Sequence, residues 1–293
     1  SPYGAGACIT ASLRPPARDP RVILFQPNKG TTMQYTDVLY EVSEGIATIT
    51  INRADRLNCF RGRTIEELIH AFKRAWADKE AAVVILTAAG TKAFCVGGDQ
   101  KEMQEKGTYG TSENGLWEID DLHMAIRNIP KPVICAVNGY AIGGGHVIHV
   151  ICDITIAAEH AKFGQAGPRV GSFDAGWGSA YLARTIGEKR AREIWFFCQQ
   201  YDAKTALEWG LVNRVVPGER LMEEARALAK QAVALSPTAL KFLKHAFNAD
   251  SAHIFGQVKM AADGLASFVN GEEAAEGRSA FLEKRQPDFS RFR

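Results

Sequence analysis

The sequence has little charge imbalance, with 35 Lys and Arg against 33 Asp and Glu and a formal net charge of +2. It carries no dense basic tract, which excludes the electrostatic footprint of a duplex nucleic acid binder or of a protein that sits on an anionic membrane. An anionic partner must be met by a few local cations. Long apolar runs are also missing. The two longest stretches, residues 132–141 and 147–158, are interrupted by Asn138, His149 and Asp153, so nothing approaches the roughly 20 apolar residues of a membrane-spanning helix. The six cysteines are scattered, with no Cys-x-x-Cys pair and no grouping with His. That excludes a disulfide framework and a zinc knuckle, and points to reduced, buried thiols in a cytoplasmic protein. Of the histidines, His123, His146, His149, His245 and His253 show no metal-ligand pattern; His146 and His149 share a helix face but lack a third ligand nearby in sequence. No metal is expected. Finally, neither G-x-G-x-x-G nor G-x-x-x-x-G-K-[ST] occurs, so a nucleotide-phosphate cradle is not expected.

The 293 residues suffice for one large domain or two small ones with a buried core. Residues 1–32 carry Gly and Pro punctuation without helix or strand periodicity and lack the order of a secretory signal. They read as a disordered or extended tail, whether vector-derived, translated from upstream or a plain extension. From Leu39 apolar and polar residues alternate up to Ile51, the pattern of a β-hairpin turning at Ser43-Glu44-Gly45. Residues 64–77 place Ile65, Leu68, Ile69, Phe72 and Trp76 at helical spacing, with Glu66 and Glu67 positioned to complement the helix dipole. Short continuous apolar runs at 82–87, 132–137 and 153–158 predict strands buried on both faces, each followed by a glycine-bearing loop and a helical pattern. Repetition of strand, crossover and strand implies an α/β fold with parallel strands. Beyond Pro217 only helical patterns remain, over 221–235, 237–248, a stretch to about 268, and 272–283. The chain thus divides into an α/β core over 33–217 and a helical region over 218–293.

Two glycine clusters stand out, Cys95-Val96-Gly97-Gly98-Asp99 after one strand and Gly139-Tyr140-Ala141-Ile142-Gly143-Gly144-Gly145 after another. Glycine removes the Cβ that would hold a substrate away, and free backbone N–H groups are exposed where a strand gives way to a helix. Two such clusters facing each other make an oxyanion hole for a carbonyl oxygen. Ordinary tight turns are the alternative on glycine content alone.

Taken with their flanks, namely Phe94 to Asp99, Lys131-Pro132-Val133, Gly139 to His146, Cys152 to Ala157 and Phe163-Gly164-Gln165, these clusters resemble the crotonase (enoyl-CoA hydratase/isomerase) superfamily over residues 40–292. The resemblance implies a ClpP-like spiral of ββα units with an all-helical C-terminal region that serves oligomerisation in a homotrimer or homohexamer. It also implies an acyl-CoA substrate whose thioester carbonyl is held by the amides of Gly98 and Gly144, with an enolate as intermediate. The hydratases of the superfamily carry two glutamates at the positions of Val147 and Gly167, so paired acid–base addition of water to a double bond lacks its usual groups here.

The segment from Gln165 to Gly178 resembles instead the 1,4-dihydroxy-2-naphthoyl-CoA synthases of menaquinone and phylloquinone biosynthesis. So do Gly97-Gly98-Asp99-Gln100-Lys101, Ala191 to Phe196, Tyr201 to Lys204 and Lys284 to Phe289. That likeness implies a lyase that closes a ring in o-succinylbenzoyl-CoA. Ser172 and Asp174 would act on the attacked carboxyl group, and Lys101 and Tyr109, with Asp99 and Gln100, would lie near the substrate. Bicarbonate is the implied catalytic base, held by Gln165, Gly167 and Trp195 in the gap left by the missing Gly167 side chain. All three offer N–H donors, and a base of near-neutral pKa is what carbanion formation beside a thioester requires. Each residue also has a plainer reading. Asp174 and Ser172 suit helix caps, Lys101 a solvated loop, Tyr109 loop packing and Trp195 the core. Arg184, Lys189, Arg190 and Arg192 form a solvated helix face or meet CoA phosphates.

The chain departs from the synthases at Met103, where they have Arg, and at Val269, where they have Tyr. Leu122 to Arg127, Phe247 to His253 and Met33-Gln34-Tyr35 resemble a sister family, the 2-ketocyclohexanecarboxyl-CoA hydrolases, which open a ring by the reverse chemistry. A crotonase fold retained as a binding scaffold without turnover is the reading from another class.

Overall fold

The structure is a computed structural model and describes residues 33–293, so the tail expected at 1–32 lies outside the described residues. The hairpin is present as β1 (Val38–Ser43) and β2 (Ile46–Ile51), antiparallel with Ser43 opposite Ile46. Its two turn residues, Glu44 and Gly45, both have positive φ, the left-handed conformation that matches a two-residue turn to the twist of its strands. Helix α1 (Gly62–Ala77) follows. The expected dipole role of Glu67 is corrected. The side chain is fully buried and accepts hydrogen bonds from the amides of Thr36 and Asp37 while pairing with Arg63, so it anchors the entry to β1.

The chain then winds through three similar turns. The first comprises β3 (Val83–Ala88), β4 (Ala93–Cys95) and the helices α2 (Gln100–Lys106) and α3 (Ile119–Asn128). The second has β5 (Val133–Val137), β6 (Tyr140–Ile142) and α4 (Gly144–Ile151). The third has β7 (Ile154–Ala158), β8 (Lys162–Gly164) and the short α5 (Gly167–Val170). Each turn gives its longer strand to a six-stranded sheet, ordered β1-β2-β3-β5-β7-β10, and its three-residue strand to a second sheet, ordered β4-β6-β8-β9. This is the spiral of ββα units. From β2 onward the larger sheet is parallel, and β4, β6 and β8 are parallel too.

A π-helical turn (Trp177–Tyr181) leads into α6 (Leu182–Ile186), α7 (Glu188–Phe197), β9 (Gln200–Asp202), α8 (Ala203–Glu208) and β10 (Arg214–Val216). The helical region is α9 (Leu221–Val233), α10 (Pro237–Ala249), α11 (Ile254–Phe268) and α12 (Glu272–Leu282). Residues 35–293 form one unit, so the region beyond 217 is packed as part of the same body.

Continuous apolar strands follow from burial on both faces. Alternate residues Val83, Ile85, Ile134 and Ile156 pack against Leu221, Ala225 and Ala229 of α9, while Val84, Leu86 and Cys135 face the main core with α1 and α4. The five described cysteines are free thiols, and four of them are buried.

Candidate active site

β4 and β6 lie side by side and parallel, so the loops that follow them leave the second sheet at the same end. A Cβ placed on Gly97 would lie 3.3 Å from the Gly144 nitrogen, and one on Gly144 would meet the Phe60 ring at 2.4 Å. The two glycine clusters are therefore in contact, and at Gly144 only glycine fits. Phe60 bridges to the first cluster: its N–H donates to the Gly97 carbonyl at 2.9 Å, and the Asp99 N–H donates to its carbonyl at 3.0 Å. That pattern leaves the Gly98 N–H out of the ladder. Gly144 opens α4, where the first helical bond is donated by Val147 to the Gly143 carbonyl. Among the described residues neither the Gly98 nor the Gly144 amide has an acceptor, as an oxyanion hole requires.

On the far side of Tyr109 from Gly98 is a cavity of about 320 Å³. Tyr109 links the two. Its ring lies against the Gly98 Cα, where a Cβ would come within 2.8 Å, and it also lines the cavity, stacked at 5.3 Å on Trp117. The Tyr109 hydroxyl accepts a hydrogen bond from the Gln100 amide at 2.8 Å, and burial pushes its phenol up. From the opposite wall α11 contributes Val258, Ala262, Leu265 and Ala266. Met103 and Val269, the two departures from the synthase pattern, both face this space.

Asp174 also lines the cavity. Its Oδ1 accepts from the Gly178 N–H at 2.7 Å, so it caps the π-helical turn. Burial in apolar surroundings nonetheless pushes its carboxyl up to about 6, against the pull of that N–H, and the charge of Asp120 adds to the rise. The cap and the acid are the same group. Asp174 and the Val147 methyl both crowd the Gly178 Cα, so the carboxyl lies beside the residue that replaces a hydratase glutamate.

The remaining predicted residues are placed otherwise. Asp99 is buried, caps α2 through the Glu102 N–H and pairs with Arg53 at 3.0 Å, so it ties the start of α2 to the loop after β2. Gln100 acts on Tyr109, and Lys101 is exposed on α2 away from the cavity lining. Gln165 is buried, with its amide donating to His146 Nδ1 at 3.3 Å and the Gly143 carbonyl at 3.4 Å. The Trp195 indole donates to the Gly178 carbonyl at 2.5 Å. The space at Gly167 is taken: a Cβ there would lie 2.6 Å from the Ser172 carbonyl oxygen and 3.0 Å from the Trp195 ring. With two of the three donors engaged inside the protein and no gap at Gly167, the residues as placed do not fit bicarbonate. Ser172 does not line the cavity and instead packs its backbone against Gly167.

The sequence pattern of the enoyl-CoA hydratase/isomerase family matches residues 41–291. The chain belongs to this family. Among solved structures it is similar to an enoyl-CoA hydratase from Mycobacterium avium subsp. paratuberculosis K-10, at 29% identity over 88% of this chain and 100% of that one, with a TM-score of 0.78. A carnitinyl-CoA hydratase from Mycobacterium avium matches at 30% identity over the same shares, also with a TM-score of 0.78. A monofunctional enoyl-CoA isomerase from M. smegmatis matches at 32% identity over 74% of this chain and 94% of that one, with a TM-score of 0.64.

Within this enoyl-CoA hydratase/isomerase fold, two features of the cavity escaped the sequence reading. Asp120, the second residue of α3, lines the cavity with its Oδ2 bonded to Lys259 of α11 at 3.2 Å. An acid in the first turn of a helix reads as a dipole complement, which hides such a role. The wall supplied by α11 was likewise hidden behind the oligomerisation reading of residues 218–293. The histidines on α3 and α4 are buried; burial lowers His123 to about 4 and His146 to about 3, so both are neutral. Among the described residues no three His, Cys, Asp or Glu side chains converge as a metal site, and no helix is long and apolar enough to cross a membrane.

Proposed function

We propose that this protein is an acyl-CoA enzyme that makes or breaks a carbon–carbon bond next to the thioester through an enolate. The observation that carries the reading is Asp174, a carboxyl raised to about 6 in an apolar cavity whose Tyr109 wall packs against Gly98, one of the two amides without an acceptor. Amides aimed at the thioester oxygen stabilise the charge that develops as the enolate forms. A carboxyl group with a pKa near the working pH can both give and take the α-proton. Hydration of a double bond is disfavoured, because Val147 and Gly167 stand where a pair of glutamates would be needed.

Two directions are open to this chemistry. Closure of o-succinylbenzoyl-CoA to 1,4-dihydroxy-2-naphthoyl-CoA is supported by the likeness of residues 165–178 and of the C-terminal segment. It brings a substrate carboxylate into the cavity. No Lys or Arg lines the cavity among the described residues, Lys259 is bonded to Asp120, and Arg278 donates to the Val269 carbonyl at 2.7 Å. Two aspartates already occupy the wall. Opening of a cyclic 2-ketoacyl-CoA such as 2-ketocyclohexanecarboxyl-CoA brings an uncharged ring, which suits Met103, Leu265 and Val269. The lining therefore supports ring opening as the better reading, with ring closure second. Assembly as a homotrimer or homohexamer is part of the same proposal, since Phe242 and Phe247 leave large apolar faces of α10 exposed.

The test is to incubate the protein separately with the two thioesters and weigh the products. Ring opening adds one water to 2-ketocyclohexanecarboxyl-CoA, and ring closure removes one from o-succinylbenzoyl-CoA. No change in either mass would remove both ring-directed readings, and detectable turnover of any acyl-CoA excludes a non-catalytic scaffold.

A further inference from the structure

Water that attacks a ring ketone needs a base, and an enolate that departs needs an acid. Asp174 can fill the second role. Both glutamate positions of the hydratases are lost in this chain, so a second carboxyl has to come from another element. The structure supplies one. Asp120 enters the same cavity from α3, and Asp174 enters from the loop after α5. The Asp120 side chain is only 16% exposed, and its Oδ2 is held by Lys259 from a different helix. Its Oδ1 has no hydrogen-bond partner among the described residues. One oxygen is thus fixed and the other is free to accept.

We propose that Asp120 is the general base that activates the attacking water, and that Lys259 is the positioning residue that holds it ionised. This rests on the ring-opening reading above. Asp120 Oδ1 takes a proton from water as the water oxygen bonds to the ketone carbon, leaving a tetrahedral alkoxide. The alkoxide collapses to a carboxylic acid, the bond between the former ketone carbon and the α-carbon breaks, and its electron pair passes into the thioester enolate held by the Gly98 and Gly144 amides. Protonated Asp174 then gives its proton to the α-carbon. The proton on Asp120 returns to Asp174 through solvent. The net change is substrate plus one water to the ring-opened acid, with no oxidant or metal.

The groups that set the charge of Asp120 lie on three sides. Lys259 of α11 favours the carboxylate, whereas burial, Asp121 on its own helix and Asp263 of α11 favour the acid, and the balance is upward. Asp174 across the cavity senses the charge of Asp120. Removing Lys259 therefore moves Asp120 further up, and activity that needs the carboxylate is lost at a higher pH.

The experiment compares two reactions of the same site. Ring opening is followed with 2-ketocyclohexanecarboxyl-CoA, and α-hydrogen exchange in D2O with cyclohexanecarboxyl-CoA, which forms an enolate but has no ketone to attack. Asp120→Asn is expected to lower the ratio of opening to exchange by about 100-fold or more. Asp174→Asn is expected to depress both. Lys259→Gln is expected to shift the acidic limb of the kcat/KM profile for opening to higher pH, a readout that a packing role would not move. It also keeps the idea testable if Asp120→Asn fails to fold. An unchanged ratio in Asp120→Asn, or an unmoved limb in Lys259→Gln, overturns the proposal while ring opening stands. Exchange without opening by the unaltered protein overturns the ring-opening reading and the role of Asp120 with it.

Discussion

An aspartate that caps a helical turn from inside an apolar cavity is under opposed demands. The Gly178 N–H favours the Asp174 carboxylate and burial favours the acid; burial is the larger effect. Because the folded-state pKa, about 6, lies above the ordinary value of 3.8, folding disfavours the charged form. The stability associated with this group is complete below about pH 4 and is lost as pH rises through 6. Asp174→Asn keeps an oxygen for the Gly178 N–H but removes both charge and proton. We expect kcat to fall by about 100-fold to 10,000-fold, while Tm at pH 8 is equal to or above that of the unaltered protein and the difference vanishes near pH 4. Steady-state kinetics and calorimetry across pH check both halves, and an unchanged kcat would contradict the acid role. Asp174 was legible because it sits in a distinctive run of glycines and aromatics. Asp120 was not, since nothing local distinguishes a cavity acid on α3 from the many that face water. Gln165, Trp195 and Gly167 show the opposite case: donors read correctly as donors from their chemistry, yet Gln165 and Trp195 spend their side-chain N–H groups inside the fold.

Among the elements, five strands of the larger sheet and all the C-terminal helices were legible within a few residues, because continuous apolar runs and 3.6-residue periods are long enough to register, whereas the three-residue β10 was not. Nor was the second sheet. Its three-residue strands β4, β6, β8 and β9 are too short to show alternation, although they bring the two glycine loops together. The docking of α12 on α5 was equally hidden, since it depends on two glycines far apart in the chain. A Cβ on Gly277 would lie 2.4 Å from the Gly171 nitrogen, and one on Gly171 would lie 2.4 Å from the Ala274 Cα. Backbone meets backbone there, with no flexible side chain to yield. Gly277→Ala is therefore expected to cost about 1–3 kcal/mol by overpacking, seen as a lower Tm and faster amide exchange along α12. KM should stay unchanged, because α12 does not line the cavity.

At the scale of the molecule, the helical region is fastened to the α/β core by a buried cation. Lys244 of α10 donates to the carbonyls of Ile126 and Lys131 and to Asp153 at 2.7 Å, and the same Asp153 oxygen accepts from the first amide of β5. Lys244→Ala leaves two carbonyls and a partly solvated carboxylate without their donor, and we expect a loss of about 1–3 kcal/mol in unfolding free energy by denaturant titration. Lys244→Met combined with Asp153→Asn should recover part of it. With that fastening in place, α11 stands against the cavity as a wall of Val258, Ala262 and Leu265, continued by Val269 just beyond its end. The groups proposed to act on the substrate come from residues 98–174, whereas this wall belongs to 258–269, which also carries Lys259, the residue proposed to hold Asp120. The apolar wall and the partner of Asp120 thus share one helix but use different residues of it. Drift at Val258, Ala262 and Leu265 can retune which ring the cavity admits while the chemistry is inherited intact so long as Lys259 is kept, and exchanging those wall residues between relatives is a direct route to new acyl specificities.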